Sequence, residues 1–133
     1  MRVIHFTEGA TDWLFGFRAQ LARSVSLVSG DGDTRVSCLH LKPGARIIDP
    51  PATHDCALLV VHGQVLVVED HGASINLSCG MGAVIKAADR YQLECKRGAI
   101  VLTVESRRLE ATPQGISTPQ RIAGQRWPGE DLS

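Results

Sequence analysis

The sequence predicts an all-β domain of antiparallel strands, arranged as a sandwich or a barrel. Short apolar segments recur along the chain, and turn sequences that contain Gly, Pro or Asp separate them. Almost no segment has the i, i+3, i+4 apolar spacing of an amphipathic helix. Short strands at regular intervals with such turns are typical of sandwiches and barrels. The lack of helical segments excludes a parallel α/β architecture.

The strands follow one another in a regular order. In sequence they are expected at Ser24–Val28, Val36–Leu41, Arg46–Ile48, Ala57–Val61, Gln64–Glu69, Ser74–Leu77, Ala83–Ile85, Tyr91–Cys95 and Ala99–Glu105. Turns are expected between them, among others at Pro43-Gly44, at His62-Gly63 and at Lys96-Arg97-Gly98. The strand Ala57–Val61 has no polar face, so one face should meet the barrel interior and the other a second sheet or a second subunit. We therefore expect a homodimer.

The chain divides into three parts of one domain. Its 133 residues fit a single domain of ordinary size, since one domain takes roughly 100–200 residues. Residues 1–35 form an N-terminal arm and the first strands, and the alternating Trp13, Phe15 and Phe17 suggest that the arm lies over a sheet edge. Residues 36–105 form the β-barrel core. Residues 106–133 are rich in Pro, Gly, Gln, Ser and Thr and form a C-terminal tail, extended or partly disordered.

Charge and hydropathy exclude several classes of partner. Fourteen Lys and Arg residues balance fourteen Asp and Glu residues, so the formal net charge is zero. This balance argues against nucleic acid and against an anionic membrane surface as partners. The longest apolar runs, Ala57–Val61 and Val65–Val68, are far shorter than the ~20 residues of a transmembrane helix. The first residues do not resemble a signal peptide.

The cysteines suggest a reducing environment. There are four of them, widely spread and without a C-x-x-C pair: Cys38, Cys56, Cys79 and Cys95. This spacing fits neither a zinc site nor a dense disulfide scaffold, so we expect buried thiols and a cytoplasmic location. His40 shares a strand face with Cys38, and we expect the sheet to cap it rather than to present it to a pocket.

Three glycines keep the spacing of a known pair of motifs. The first motif runs Gly, five residues, His-x-His, three or four residues, Glu, six residues, Gly, and Gly44 and Gly63 keep this frame. The second runs Gly, five residues, Pro-x-Gly, two residues, His, three residues, Asn, and Gly80 begins it in register. On these positions the segment from Pro43 to Glu105 resembles the small single-domain cupins. The resemblance implies a double-stranded β-helix, the jelly-roll barrel of antiparallel strands.

The metal ligands of that family are missing from the frame. Pro50 and Ala52 stand at the two His positions of the first motif, Cys56 at the Glu position and Tyr91 at the His position of the second. Proline and alanine have no donor atom, and a phenol with a pKa near ~10 is a poor ligand at neutral pH. The resemblance therefore implies a degenerate metal site, and we expect neither a metal nor another cofactor.

Four polar side chains on or beside these positions form the candidate binding site: Arg46, His54, Cys56 and Tyr91. His54 and Cys56 lie two residues apart and so point to the same side of a strand. Arg46 shares parity with Pro50, so we expect it to face the same cavity, and Tyr91 to enter from the opposite sheet. Such a cavity would suit a small organic molecule with an acidic or hydroxyl group.

Two functions remain open at this point. The first is a metal-free homodimer that binds a small molecule or serves as an interaction module. The second is an enzyme, either an isomerase or oxygenase with a relocated metal site, or a metal-free isomerase or cyclase that uses Tyr91, His54 and Arg46 as acid-base groups. A Cys56–His54 pair would also suit a nucleophile and its base. The fold hosts both functions, and the missing ligands favour the first.

Overall fold

Strands make up nearly all of the regular secondary structure in the part of the chain that the structure describes. The computed structural model describes residues 1–13, 19–49, 54–70 and 72–114, so Phe15, Phe17, Pro50, Ala52 and the tail from residue 115 lie outside it. The elements are a 3-10 turn at Glu8–Ala10 and the strands β1 Asp12–Trp13, β2 Gln20–Gly30, β3 Thr34–Asp49, β4 Asp55–Glu69, β5 Ser74–Ser78, β6 Gly82–Ile85, β7 Tyr91–Glu94 and β8 Ala99–Ser106. The predicted all-β class is confirmed. No helix in these ranges is long and apolar enough to cross a membrane.

Two strands are much longer than expected, because two predicted turns are bends inside strands. Pro43-Gly44 lies within β3 and His62-Gly63 lies within β4. The backbone φ is 85° at Gly44 and 79° at Gly63, values that glycine adopts without steric cost. At the first bend the Gly44 N–H still donates to the Cys95 carbonyl at 2.8 Å. The prediction of turns is therefore wrong at both places.

The two bent strands each contribute to two layers. The first halves of β3 and β4 pair with β8, which lies between them, and β2 and β6 extend this layer on either side. The second halves of β3 and β4 pair with β7, and β5 lies beyond β4. Every pair is antiparallel. The layers close on an apolar core in which the largest fully buried side chains are Leu58, Leu77, Leu93, Val65 and Val101.

The N-terminal arm is tied to β2 and to β3. β1 pairs with β2, and the Arg23 side chain donates to Thr11 Oγ1 at 2.8 Å and to the Thr11 carbonyl at 2.6 Å. The same guanidinium lies 4.6 Å from the ring centroid of Trp13. On β3 the buried His40 Nε2–H donates to the Phe6 carbonyl at 2.7 Å. His40 is thus covered by the arm, on the face of β3 opposite the core.

The four cysteines are all free thiols, but they are not all buried. Cys38 and Cys95 are buried, Cys56 is half-buried and Cys79 is exposed. Cys79 follows β5 in the turn before β6, where its Sγ donates to the Val61 carbonyl at 3.3 Å. The expectation of buried thiols is therefore wrong for Cys79, because this residue lies in a surface turn.

Asp55, at the start of β4, anchors two distant segments. Its side chain is buried and accepts the Ala87 N–H and the Leu109 N–H, each at 2.8 Å. Lys86 Nζ donates to the same carboxylate at 3.1 Å and also contacts the Leu109 carbonyl. The two backbone N–H groups, followed by Lys86, lower the pKa of Asp55 from its ordinary 3.8 to about 2. The ionised carboxylate thus holds the loop after β6 and the chain after β8.

Loss of this carboxylate is expected to destabilise the fold in a pH-dependent way. Because the pKa of Asp55 is lower in the folded than in the unfolded chain, its contribution is present above about pH 4 and is lost as the pH falls towards 2. We expect Asp55→Asn to lower the melting temperature at pH 7 by about 5 °C, and to lower it less at pH 2. Thermal unfolding followed by circular dichroism measures both. Asp89→Asn, at an exposed position, is the control, and an equal loss at both pH values would contradict the assignment.

Candidate functional site

Cys56 and Tyr91 lie against the apolar core. Cys56 is the second residue of β4 and pairs with Ile85 of β6, while Tyr91 is the first residue of β7. Both side chains are half-buried and pack on the core cluster that contains Leu58 and Leu93. The structure therefore places a thiol and a phenol each against the apolar core.

Arg46 lies on the outer face of β3. Its neighbours Ala45 and Ile47 are buried in the core, and its own side chain is 49% exposed. Its Nε lies 3.7 Å from Glu94 Oε1, and its Nη2 donates to Gln92 Oε1 at 3.3 Å. The expected orientation into the cavity is not found, because the apolar residues on either side of Arg46 take the inward positions. A role of Arg46 in binding stays a prediction.

His54 joins a charged cluster at the turn between β2 and β3. Its Nε2 lies 3.2 Å from Asp33 Oδ2, and Arg107 Nε lies 3.7 Å from the same oxygen. The hydrogen bond from His54 and the positive charge of Arg107 lower the pKa of Asp33. His54 thus contacts the turn before β3 and lies near the chain after β8. Of the four predicted residues, the structure packs Cys56 and Tyr91 on the core, pairs His54 with Asp33, and leaves Arg46 outside.

A metal of the kind that cupins bind does not fit these residues. Within residues 1–13, 19–49, 54–70 and 72–114, no three His, Cys, Asp or Glu side chains form a group that could hold a metal ion. Cys56 and Tyr91 would supply one sulfur and one phenol oxygen, and the motif positions Pro50 and Ala52 supply no donor. Protein sites for zinc and similar metals use three or four N, O or S ligands.

Sequence reasoning missed two features of this structure. The strand pattern does not predict the role of Asp55, although an acidic residue directly before an apolar strand is a visible signal. Lys96 and Arg97 were treated only as part of a turn, and their two adjacent positive charges were the available signal. The position of both features depends on long-range packing, which no local pattern reveals.

Comparison with known proteins supports the fold and nothing finer. No protein-family model matches the chain, and no curated protein matches it. Among solved structures, the polyketide cyclase RemF from Streptomyces resistomycificus is similar, with a TM-score of 0.71, 14% identity, and coverage of 81% of this chain and 80% of that one. Ectoine synthase from P. lautus gives a TM-score of 0.65 at 17% identity, with 82% and 80% covered.

A third similar structure is an RmlC-like cupin from Shewanella frigidimarina. Its TM-score is 0.59 at 17% identity, with 76% of this chain and 96% of that chain covered. Identities this low establish the fold alone. The glycine frame, the antiparallel barrel and these structures agree, and the chain has the fold of a small cupin.

Proposed function

We propose that this protein is a metal-free, cupin-like homodimer that binds a small organic molecule beside Cys56 and Tyr91. One observation carries the proposal: at two positions where the cupin resemblance places metal ligands, a thiol and a phenol each pack against the apolar core. A purely structural core would be expected to hold aliphatic side chains there. Binding by these two groups needs no metal.

The chemistry of the two groups defines the ligand class. A tyrosine hydroxyl both donates and accepts hydrogen bonds, and a cysteine thiol is a weak donor. Both side chains pack against the apolar core, whose members are mostly aliphatic. These features favour a compact, mostly apolar molecule with one hydroxyl or carbonyl group. The acidic group that Arg46 was expected to bind is not part of this proposal, since Arg46 faces outward.

An isomerase or cyclase is the second candidate. Tyr91 and Cys56 are groups that enzymes use for acid-base and nucleophilic catalysis. Two of the similar structures are named as a cyclase and a synthase, which is the observation that favours this alternative. Because those proteins share only the fold with this chain, we place ligand binding first.

A reducing, cytoplasmic location belongs to the proposal. All four cysteines are free thiols, and free thiols persist in reducing compartments. The formal net charge of zero supports the view that nucleic acid and membranes are not partners.

The outer face of β4, β6 and β8 supports the proposed homodimer. Leu59, Val61 and Val84 are 43%, 41% and 37% exposed on this face. In the sheet, Leu59 lies opposite Leu102, and Val84 and Val104 both lie opposite Ala57 of β4. These side chains therefore form one apolar patch. Such patches are typical of interaction sites. A second copy of this chain is the partner we propose, because most homo-oligomers pair the same patch on both subunits.

The ligand site is tested through Tyr91, which is the only tyrosine in the chain. Protein labelled with ¹³C-tyrosine gives one set of ring signals, and these should shift on titration with 4-hydroxyacetophenone or cyclohexanone in the presence of EDTA. Cys56→Ala removes one hydrogen-bonding group, so we expect about threefold to tenfold weaker binding.

The exposed thiol supplies the matched control for that experiment. Cys79→Ala should leave the affinity unchanged, because Cys79 lies in a surface turn. The proposal fails if neither probe shifts the Tyr91 signals, or if Cys79→Ala weakens binding as much as Cys56→Ala does.

The homodimer is tested by multi-angle light scattering at micromolar concentration. The wild-type protein should have twice the mass of the 14.3 kDa chain, and Leu59→Glu should give the monomer, because it places a charge in the apolar patch. Ile75→Glu is the control, since Ile75 is 52% exposed on β5 in the other layer. A wild-type monomer would contradict the proposal.

A further inference from the structure

A cavity of about 700 Å³ lies on the outer surface of the layer formed by β3, β7, β4 and β5. Its lining includes Gln64, Leu66, Asn76, Glu94, Lys96 and Arg97. Gln64 and Leu66 alternate along β4 with Val65 and Val67, which are buried in the core, so the cavity is outside the barrel. None of its lining residues belongs to the candidate site described above. Its volume is within the ~300–1,000 Å³ of small-molecule sites.

The floor of the cavity is polar but carries no net charge. Arg46, Glu94, Leu66 and Asn76 form one row across the four strands. Glu94 is paired with Arg46 at 3.7 Å. The Asn76 amide donates to Gln64 Oε1 at 3.3 Å. The floor thus offers two amides and one aliphatic side chain, with no uncompensated charge.

The rim adds two positive charges that the rest of the structure does not neutralise. Lys96 and Arg97 are exposed in the turn between β7 and β8. Within the part of the chain that the structure describes, neither side chain has an ion-pair or hydrogen-bond partner. An anion in the cavity would supply the missing partner, and Arg97 offers a planar fork that matches a carboxylate.

The turn that carries these two cations is held in place from both sides. Cys95 donates its N–H to the Ala45 carbonyl at 2.9 Å, and its buried sulfur accepts the Gly98 N–H at 3.1 Å. A Cβ on Gly63 would lie 2.3 Å from the Gly98 carbonyl oxygen, so β4 and the turn are in close backbone contact. A turn fixed in this way needs no further ordering of its backbone on binding.

We propose that this cavity is a second binding site, which takes a small hydroxylated dicarboxylate. The two carboxylates bind Lys96 and Arg97, the hydroxyls bind the Gln64 and Asn76 amides, and the carbon chain lies on Leu66. Two negative charges match the two unpaired cations. The amides and the aliphatic side chain favour an organic acid over inorganic phosphate.

The test compares three probes by ¹H–¹⁵N correlation spectra of the full chain. L-tartrate has two carboxylates and two hydroxyls, L-threitol has the same carbon chain with both carboxylates replaced by CH₂OH, and phosphate is an inorganic anion. L-tartrate should shift the amide signals of Lys96, Arg97 and Gly98 in a saturable way. L-threitol should not shift them, and phosphate should bind more weakly than L-tartrate.

A pair of double variants separates the site from general charge attraction. Lys96→Gln with Arg97→Gln should weaken L-tartrate binding about tenfold or more. Arg35→Gln with Arg90→Gln removes the same charge at exposed positions outside the cavity lining. This second double variant should change the affinity for L-tartrate less than about twofold. Cys56→Ala should have no effect, so this proposal can fail independently of the first site. Equal weakening by both double variants, equal binding of phosphate, or no shift with L-tartrate would overturn it.

Discussion

The barrel depends on β3 and β4 passing from one layer to the other without a break. β8 joins these strands in the first layer and β7 joins them in the second. The passage requires positive φ at Gly44 and Gly63. At Gly63 it also requires the absence of a side chain, because a Cβ there would lie 2.3 Å from the Gly98 carbonyl oxygen. The two glycines that keep the spacing of the first cupin motif are thus the two points at which a continuous strand passes from one layer to the other.

This constraint also decides which side chains face inward. After the bend in β3, Ala45 and Ile47 enter the core and Arg46 is left on the outer face. The close contact at Gly63 fixes the turn that carries Lys96 and Arg97. The bend at Gly63 thus also positions the turn at the rim of the outer cavity, whose lining includes none of the four predicted site residues.

The sequence was sufficient for the fold class and for most of the short strands. β5, β6, β7 and β8 begin and end within one residue of their predicted bounds, because each is a short apolar segment between clear turn residues. The long strands were not predicted, since a glycine beside proline or histidine has the same local pattern whether the chain reverses or only bends. The outcome depends on the neighbouring strands, which a local pattern does not contain.

Motif position predicted correctly which side chains face the core, whereas strand parity did not, and the binding role of all four residues stays a prediction. Cys56 and Tyr91 were placed by the glycine frame, and both pack on the core. The parity of Arg46 with Pro50 predicted that Arg46 faces the cavity. However, Leu41, Ala45 and Ile47 form an apolar series at the alternate positions, which indicated that Arg46 faces away from the core. The contact of His54 with Asp33 joins residues 21 positions apart, so it could not be found from sequence spacing.

We propose that this barrel functions without a metal at the positions where the cupin resemblance places one. Elemental analysis of protein expressed and purified without chelators and without added metal tests that claim most directly. We expect a transition-metal content far below one equivalent per chain, because the motif positions hold Pro50, Ala52, Cys56 and Tyr91. Close to one equivalent of iron, manganese, nickel or zinc, lost on His54→Ala, would contradict it.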